Sequence, residues 1–246
     1  MNRTFISTNT FSKAFLSKAW EARNDLLDYE KRGFAQFFYL TICGHAESLL
    51  AKIITTRLLF IHTLVHWEEL PPMPYENDDV TQTCSLEPVI TSIKQIAKSL
   101  ERETESASLN KLIELHGRTF PQKLKEIVGA KLSADLDALA SLRNLFAHGR
   151  DLIMDFDIDE NFDFKGTLDG NILKHPAQRL HEAGIIKDFD INGQNHHEFH
   201  AIFYGDAAML YFYNAVQSIE EGLRSSTTFL PEKDFHFHSK LPDLKA

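Results

Sequence analysis

From Phe34 to about Trp67 the sequence places apolar side chains at Phe37, Phe38, Ile42, Leu49, Leu50, Ile53, Ile54 and Leu58. Recurrence at steps of three and four residues is the pattern of a helix with an inward stripe. His45, Glu47, Lys52 and Arg57 interrupt the run, which argues against a membrane span. One helix of this length sets the fold class as mainly α. Shorter segments follow the same spacing. Phe11 to Leu27 forms a first helix with Thr10 or Ser12 as cap, and Gly33 is expected to separate it from the long one. PPMPYENDDVTQTCSLEP, after Trp67, cannot continue a helix because its prolines remove donors and clash with the preceding turn.

Further helices are expected over Val89–Glu105, Leu109–Gly117 and Phe120–Ile127. Another is capped by Ser133, with Leu136, Leu139, Leu142 and Phe146 facing inward and Gly149 ending it. The period then changes. DFDIDENFDFKG alternates apolar and acidic residues, and Asp169-Gly170 in TLDGNILKH is a hairpin signal, so two or three short strands are expected as an insertion. Helical spacing returns over Gly205–Leu223. The expected organisation is an N-terminal helix over 1–32, a helical bundle from 33–150 plus 204–225, a hairpin-containing insertion over 151–203, and a tail over 226–246.

Composition narrows the function classes. With 19 phenylalanines against 11 glycines and 8 prolines, the 246-residue chain reads as densely packed. Its formal net charge of −9 excludes coating a nucleic-acid backbone over many base pairs, although a small cationic pocket for one or two phosphates remains open. Two cysteines, Cys43 and Cys84, are too few for a disulfide framework and wrongly spaced for a zinc ribbon. The N-terminus lacks the apolar core of a signal peptide. A cytoplasmic protein without membrane contact is the expectation. NHHEFH, residues 195–200, is not the H-E-x-x-H of a zinc hydrolase, because one residue separates Glu198 from His200. The acidic stretch from Asp155 lacks the glycine and glutamate of a calcium loop. No metal and no cofactor are expected.

The stretch SLRNLFAHGRDL, Ser141 to Leu152, holds the chemistry. At ~100° per residue, Arg143 falls roughly 40° from the centre of the inward face marked by Leu139. His148 comes one turn after Asn144 and ends the helix. An unpaired buried guanidinium costs several kcal/mol, so a partner is implied. Two explanations stand open. In one, Glu47 on the long helix forms an internal ion pair with Arg143, and His148 merely compensates the negative helix end. In the other, the partner is a phosphate. Arginine presents a fork matching two phosphate oxygens, and histidine exchanges protons near neutral pH. Those are the two groups that metal-independent RNA cleavage requires.

RNLFAHG, Arg143 to Gly149, resembles the R-x4-6-H signature of the HEPN superfamily, in the form where Asn follows the Arg. The resemblance implies a bundle of four to five helices, extended here by the short β-hairpin insertion. It implies Arg143, Asn144 and His148 as the catalytic site, with Glu47 at the polar position on an earlier helix and Arg150 adding positive charge for substrate. Many members are metal-independent endoribonucleases, some of them toxins of toxin–antitoxin or phage-defence systems, and others are non-catalytic modules that bind nucleotide, RNA or protein. RNA, a homodimer with the site at its interface, and a cognate antitoxin are the partners so implied. Arg150 stands where some toxin relatives carry a tyrosine that a partner enzyme modifies, so that regulation does not transfer. A second spacing match, Arg57 to His62, lies inside an apolar helix without the Asn or the glycine stop, and is read as incidental.

Overall fold

A computed structural model describes residues 10–65, 87–148, 155–158, 164–167, 173–186, 203–226, 241–242 and 244. In chain order these form α1 (Thr10–Ala22), a 3₁₀ turn (Arg23–Asp25), α2 (Asp28–Val65), α3 (Glu87–Glu105), α4 (Leu109–Thr119), α5 (Leu124–Val128), α6 (Ala130–His148), β1 (Asp155–Ile158), β2 (Phe164–Thr167), α7 (Lys174–Glu182) and α8 (Asp206–Ser226). The described chain is mainly α. It divides into two compact units, 1–49 with 122–246, and 50–121. Both breaks fall inside the segment expected to form a single bundle, and α2 contributes its first part to one unit and its second part to the other.

Helix α2 starts earlier than the spacing predicts. The Glu30 carboxylate accepts the Leu27 N–H at 2.7 Å, and Asp28 and Glu30 place negative charge at the helix's positive end. Gly33 does not break it. A helical glycine costs only ~1 kcal/mol relative to Ala, and the flanking Ala35 and Phe38 are fully buried. By length and composition, Asp28–Leu58 is the one described helical stretch able to cross a membrane; 56% of it is buried inside the protein, as in a core helix.

The larger unit is built on an aromatic core. Trp20 packs on Phe38 at 5.3 Å, Phe38 on Tyr213 at 5.8 Å, and Tyr39 edge-on against Phe212 at 6.0 Å. Against these, α6 buries Leu136, Leu139, Leu142 and Leu145, each at most 4% exposed. Phe146, expected to be equally inward, is only half-buried. Helix α6 begins at Ala130, so Ser133 is an interior residue and not its cap. The reason is Gly129. Its φ of 89° closes α5 through an N–H bond to the Lys125 carbonyl at 3.0 Å, and α6 starts immediately after. The end of α5 also packs closely on α8, where a Cβ at Gly222 would meet Val128 Cγ1 at 3.4 Å.

Strands β1 and β2 pair antiparallel, with Asp155 opposite Thr167 and Ile158 opposite Phe164. They precede Asp169-Gly170, which lies outside the described residues. Helix α7 is an element the sequence reading did not separate from the insertion. It buries Leu173, Ala177 and Leu180 at i, i+4 and i+7, and Gly184 at φ 73° ends it, with Ile185 N–H bonding back to the Leu180 carbonyl at 2.9 Å.

In the smaller unit the buried residues are Ile53, Ile54 and Leu58 of α2, Ala97 and Leu100 of α3, and Leu112 and Leu115 of α4. His116 is 1% exposed and stacks on Phe120 at 4.5 Å. Burial pushes its imidazole down to about 4, so it is neutral in the folded unit. Pro121 follows, and the helix expected from Phe120 begins only at Leu124.

Candidate functional site at the end of α6

Arg143 and Glu47 meet across α6 and α2. The guanidinium Nε lies 3.8 Å from Glu47 Oε1, with the two side chains 30% and 20% exposed. Arg143 Nη1 donates to Asn144 Oδ1 at 3.2 Å. The helical phase therefore led Arg143 to the acid named from sequence, and the inward arginine is neither sealed nor fully solvated. Cys43, one turn before Glu47, is buried. Its thiol is pushed well up, by burial first and then by the Glu47 carboxylate, while Arg143 pulls the other way. It is an inert core thiol beside the ion pair.

His148 is the last residue of α6 and is exposed. Among the described residues it has no hydrogen-bond or ion-pair partner. The Asn144 oxygen is engaged by Arg143, so Asn144 orients the guanidinium here. Arg150 lies outside the described residues, as do residues 195–200. Among the described residues no group of three or more His, Cys, Asp or Glu is placed to hold a metal ion.

Two clusters nearby were not anticipated from the sequence. Asp135, near the start of α6 and 1% exposed, accepts from Arg179 Nε and from Tyr211 Oη, each at 2.7 Å, and Arg179 also pairs with Glu182. Burial and then Asp135 push the Tyr211 phenol well up, so it stays a donor. The second cluster joins His45 Nε2 to Glu220 Oε2 at 2.9 Å, with Arg224 Nη2 on Glu220 Oε1 at 2.6 Å. The i,i+4 pair Glu220–Arg224 was legible on α8. That His45 completes it was not, because the two helices are far apart in sequence.

Beside the Arg143 end of α6 lies an aromatic group. Phe146 stacks on Tyr39 at 5.6 Å with a 22° interplanar angle, and Tyr204 sits 6.4 Å from Phe146. Tyr39 is fully buried and its hydroxyl donates to the Phe203 carbonyl at 2.8 Å. Burial, and then Tyr204, push that phenol far up, so it remains a donor.

Comparison with family models, curated proteins and solved structures yields no match to the chain.

Proposed function

We propose that the protein is a metal-independent endoribonuclease of the HEPN kind, acting at the end of α6. The observation that carries the reading is an arginine kept partly exposed near a helix end, oriented by Asn144 and only loosely paired with Glu47, one and a half turns before an exposed histidine. In that reaction an imidazole takes the proton of a ribose 2′-hydroxyl, the 2′-oxygen attacks phosphorus, and the bond to the 5′-oxygen breaks as that oxygen receives a proton. The products are a 2′,3′-cyclic phosphate and a 5′-hydroxyl. Arg143 holds the charge that develops on the phosphorane, a role commonly contributing ~3–4 kcal/mol per donor. His148 acts as base or acid. A homodimer with the site at its interface supplies a second imidazole for the complementary proton transfer. A cytoplasmic toxin or phage-defence component with a cognate antitoxin belongs to the same reading.

The test is incubation of the full chain with RNA in EDTA. Cleavage that persists in wild type and vanishes in folded His148→Ala is expected. No cleavage of any RNA, or a requirement for metal, overturns the reading. One observation favours a second reading, a non-catalytic module binding nucleotide, RNA or protein: Glu47 already supplies Arg143 with negative charge, on a chain of net charge −9. Arg143-dependent nucleotide binding without turnover decides for it.

A further inference from the structure

Phe146 and Tyr204 are half-buried rings 6.4 Å apart beside the Arg143 end of α6. The apolar neighbours of Phe146 on the same helix, Leu142 and Leu145, are 0% and 4% exposed, so the packing of α6 opens at this ring. Phe146 also stands between Arg143 and His148 in sequence, within the last turns of α6. One buried residue organises both rings. The Tyr39 ring backs Phe146 as a stack, and the Tyr39 hydroxyl pins the Phe203 carbonyl, fixing the turn at 203–205 that carries Tyr204. A ring pair held in this way has little rotamer freedom to lose when a third ring is added.

We infer that Phe146 and Tyr204 form a stacking platform for an unpaired RNA base next to the phosphate held at Arg143. The inference rests on the ribonuclease reading and adds to it the residues that select the substrate. Stacking on aromatic rings requires a base free of its helix, because a duplex buries both faces of each base. Guanidinium and imidazole recognise only phosphate and ribose, which both forms of RNA present. The platform therefore makes the discrimination between single strand and duplex, and it tolerates every base because each has a π-face. A tyrosine at the rim suits the task, since its ring is apolar and its hydroxyl can stay wet.

The experiment uses the full chain in EDTA with His148→Ala, so that binding is read without cleavage. The probes are a fluorescently labelled single-stranded RNA and the same sequence as a blunt duplex. The single strand is expected to bind more tightly. Adding Tyr204→Ala should weaken single-strand binding by about 5- to 100-fold and leave duplex binding within about twofold. Tyr204→Trp should preserve single-strand affinity, with its indole fluorescence quenched by the single strand and not by the duplex. Phe146→Leu, which keeps the packing volume, should lose affinity for the single strand in the same sense. The inference is overturned if Tyr204→Ala leaves single-strand affinity unchanged, if it weakens both probes equally, or if the indole does not respond. Single-strand binding that ignores Tyr204, with wild-type cleavage intact, removes the platform and leaves the ribonuclease. Tyr204-dependent binding without wild-type cleavage removes the ribonuclease and leaves the platform.

Discussion

Helix α6 carries one acid–arginine contact near its start and another near its end, and the two are built differently. Asp135 is 1% exposed and takes two donors at 2.7 Å, from Arg179 and Tyr211. Arg143, two turns later, is 30% exposed and lies 3.8 Å from its acid. Withdrawing a carboxylate from water costs several kcal/mol, and only close, multiple hydrogen bonds return that energy. The Asp135 cluster is therefore committed to holding α7 and α8 on α6. The Arg143 pair keeps its solvent and much of its donor capacity, as a group that must accept an outside anion requires. One helix thus separates a charge buried in the fold from a charge left partly exposed, the one to which binding is assigned in the proposed function.

The largest effect expected from this contrast is in Asp135→Ala. It leaves Arg179 and Tyr211 without their shared acceptor and should cost about 3–5 kcal/mol of unfolding free energy, read by urea denaturation. A loss below about 1 kcal/mol would erase the distinction between the two ends. Arg143→Ala should do the opposite. Its stability should shift by less than about 1 kcal/mol, while turnover of RNA in EDTA should fall about 10²- to 10³-fold. Arg143→Lys should not restore turnover, because an ammonium cannot reproduce the fork. A variant that is slow only because it is unfolded would place Arg143 with Asp135.

Acid separates interior charges from the exposed end more gently. Burial alone would raise the Glu220 carboxyl, but hydrogen bonds from His45 and Arg224 outweigh it and hold the group at about 2, against an ordinary 4.5. The unfolded chain then binds the proton more readily than the folded one. The stabilisation is complete above about pH 4.5 and drains away as pH falls toward about 2. His116 is a base whose folded value is likewise depressed, to about 4 from 6.5, so its contribution is complete above 6.5 and is lost through the window down to about 4. Thermal melts across these windows should show two separate losses, each on the order of 2–3 kcal/mol. Glu220→Gln should remove the lower and His116→Phe the upper. His148→Ala should remove neither, since the exposed end carries no folding charge.

The helical class and the inward face of α6 were legible because a period of 3.6 survives in a single chain without knowledge of its partners. Arg143 stood out for the same reason, and Glu47 followed as an acid on another apolar stripe. What failed was punctuation. Gly33 reads as a break but sits inside α2, whose buried neighbours outweigh one glycine. Ser133 reads as a cap, yet Gly129 sets the start of α6 through a positive φ that Ser cannot adopt cheaply. The Asp135–Arg179 and His45–Glu220 contacts join residues 44 and 175 positions apart. No local pattern encodes such pairs. Helix α7 was hidden differently: Leu173, Ala177 and Leu180 carry its spacing, but the alternating acidic stretch before them reads as strand and drew the whole segment with it.

The smallest effect is the most discriminating. A double-mutant cycle between Glu47→Gln and Arg143→Gln measures how far the pair is committed to itself. At 3.8 Å and with both side chains partly wet, the coupling should stay below about 1 kcal/mol. Removing the acid should then release the guanidinium, so Glu47→Gln should bind inorganic phosphate a few-fold more tightly than wild type, and the gain should vanish when Arg143 is also replaced. A coupling of about 3 kcal/mol or more, the scale of a buried pair, would show that Arg143 is held by the fold as firmly as Arg179 is. Phosphate affinity that falls on removing Glu47 would mean the acid positions the guanidinium instead of competing for it. Glu47 would then be part of the binding geometry itself, and the two ends of α6 would differ only in exposure.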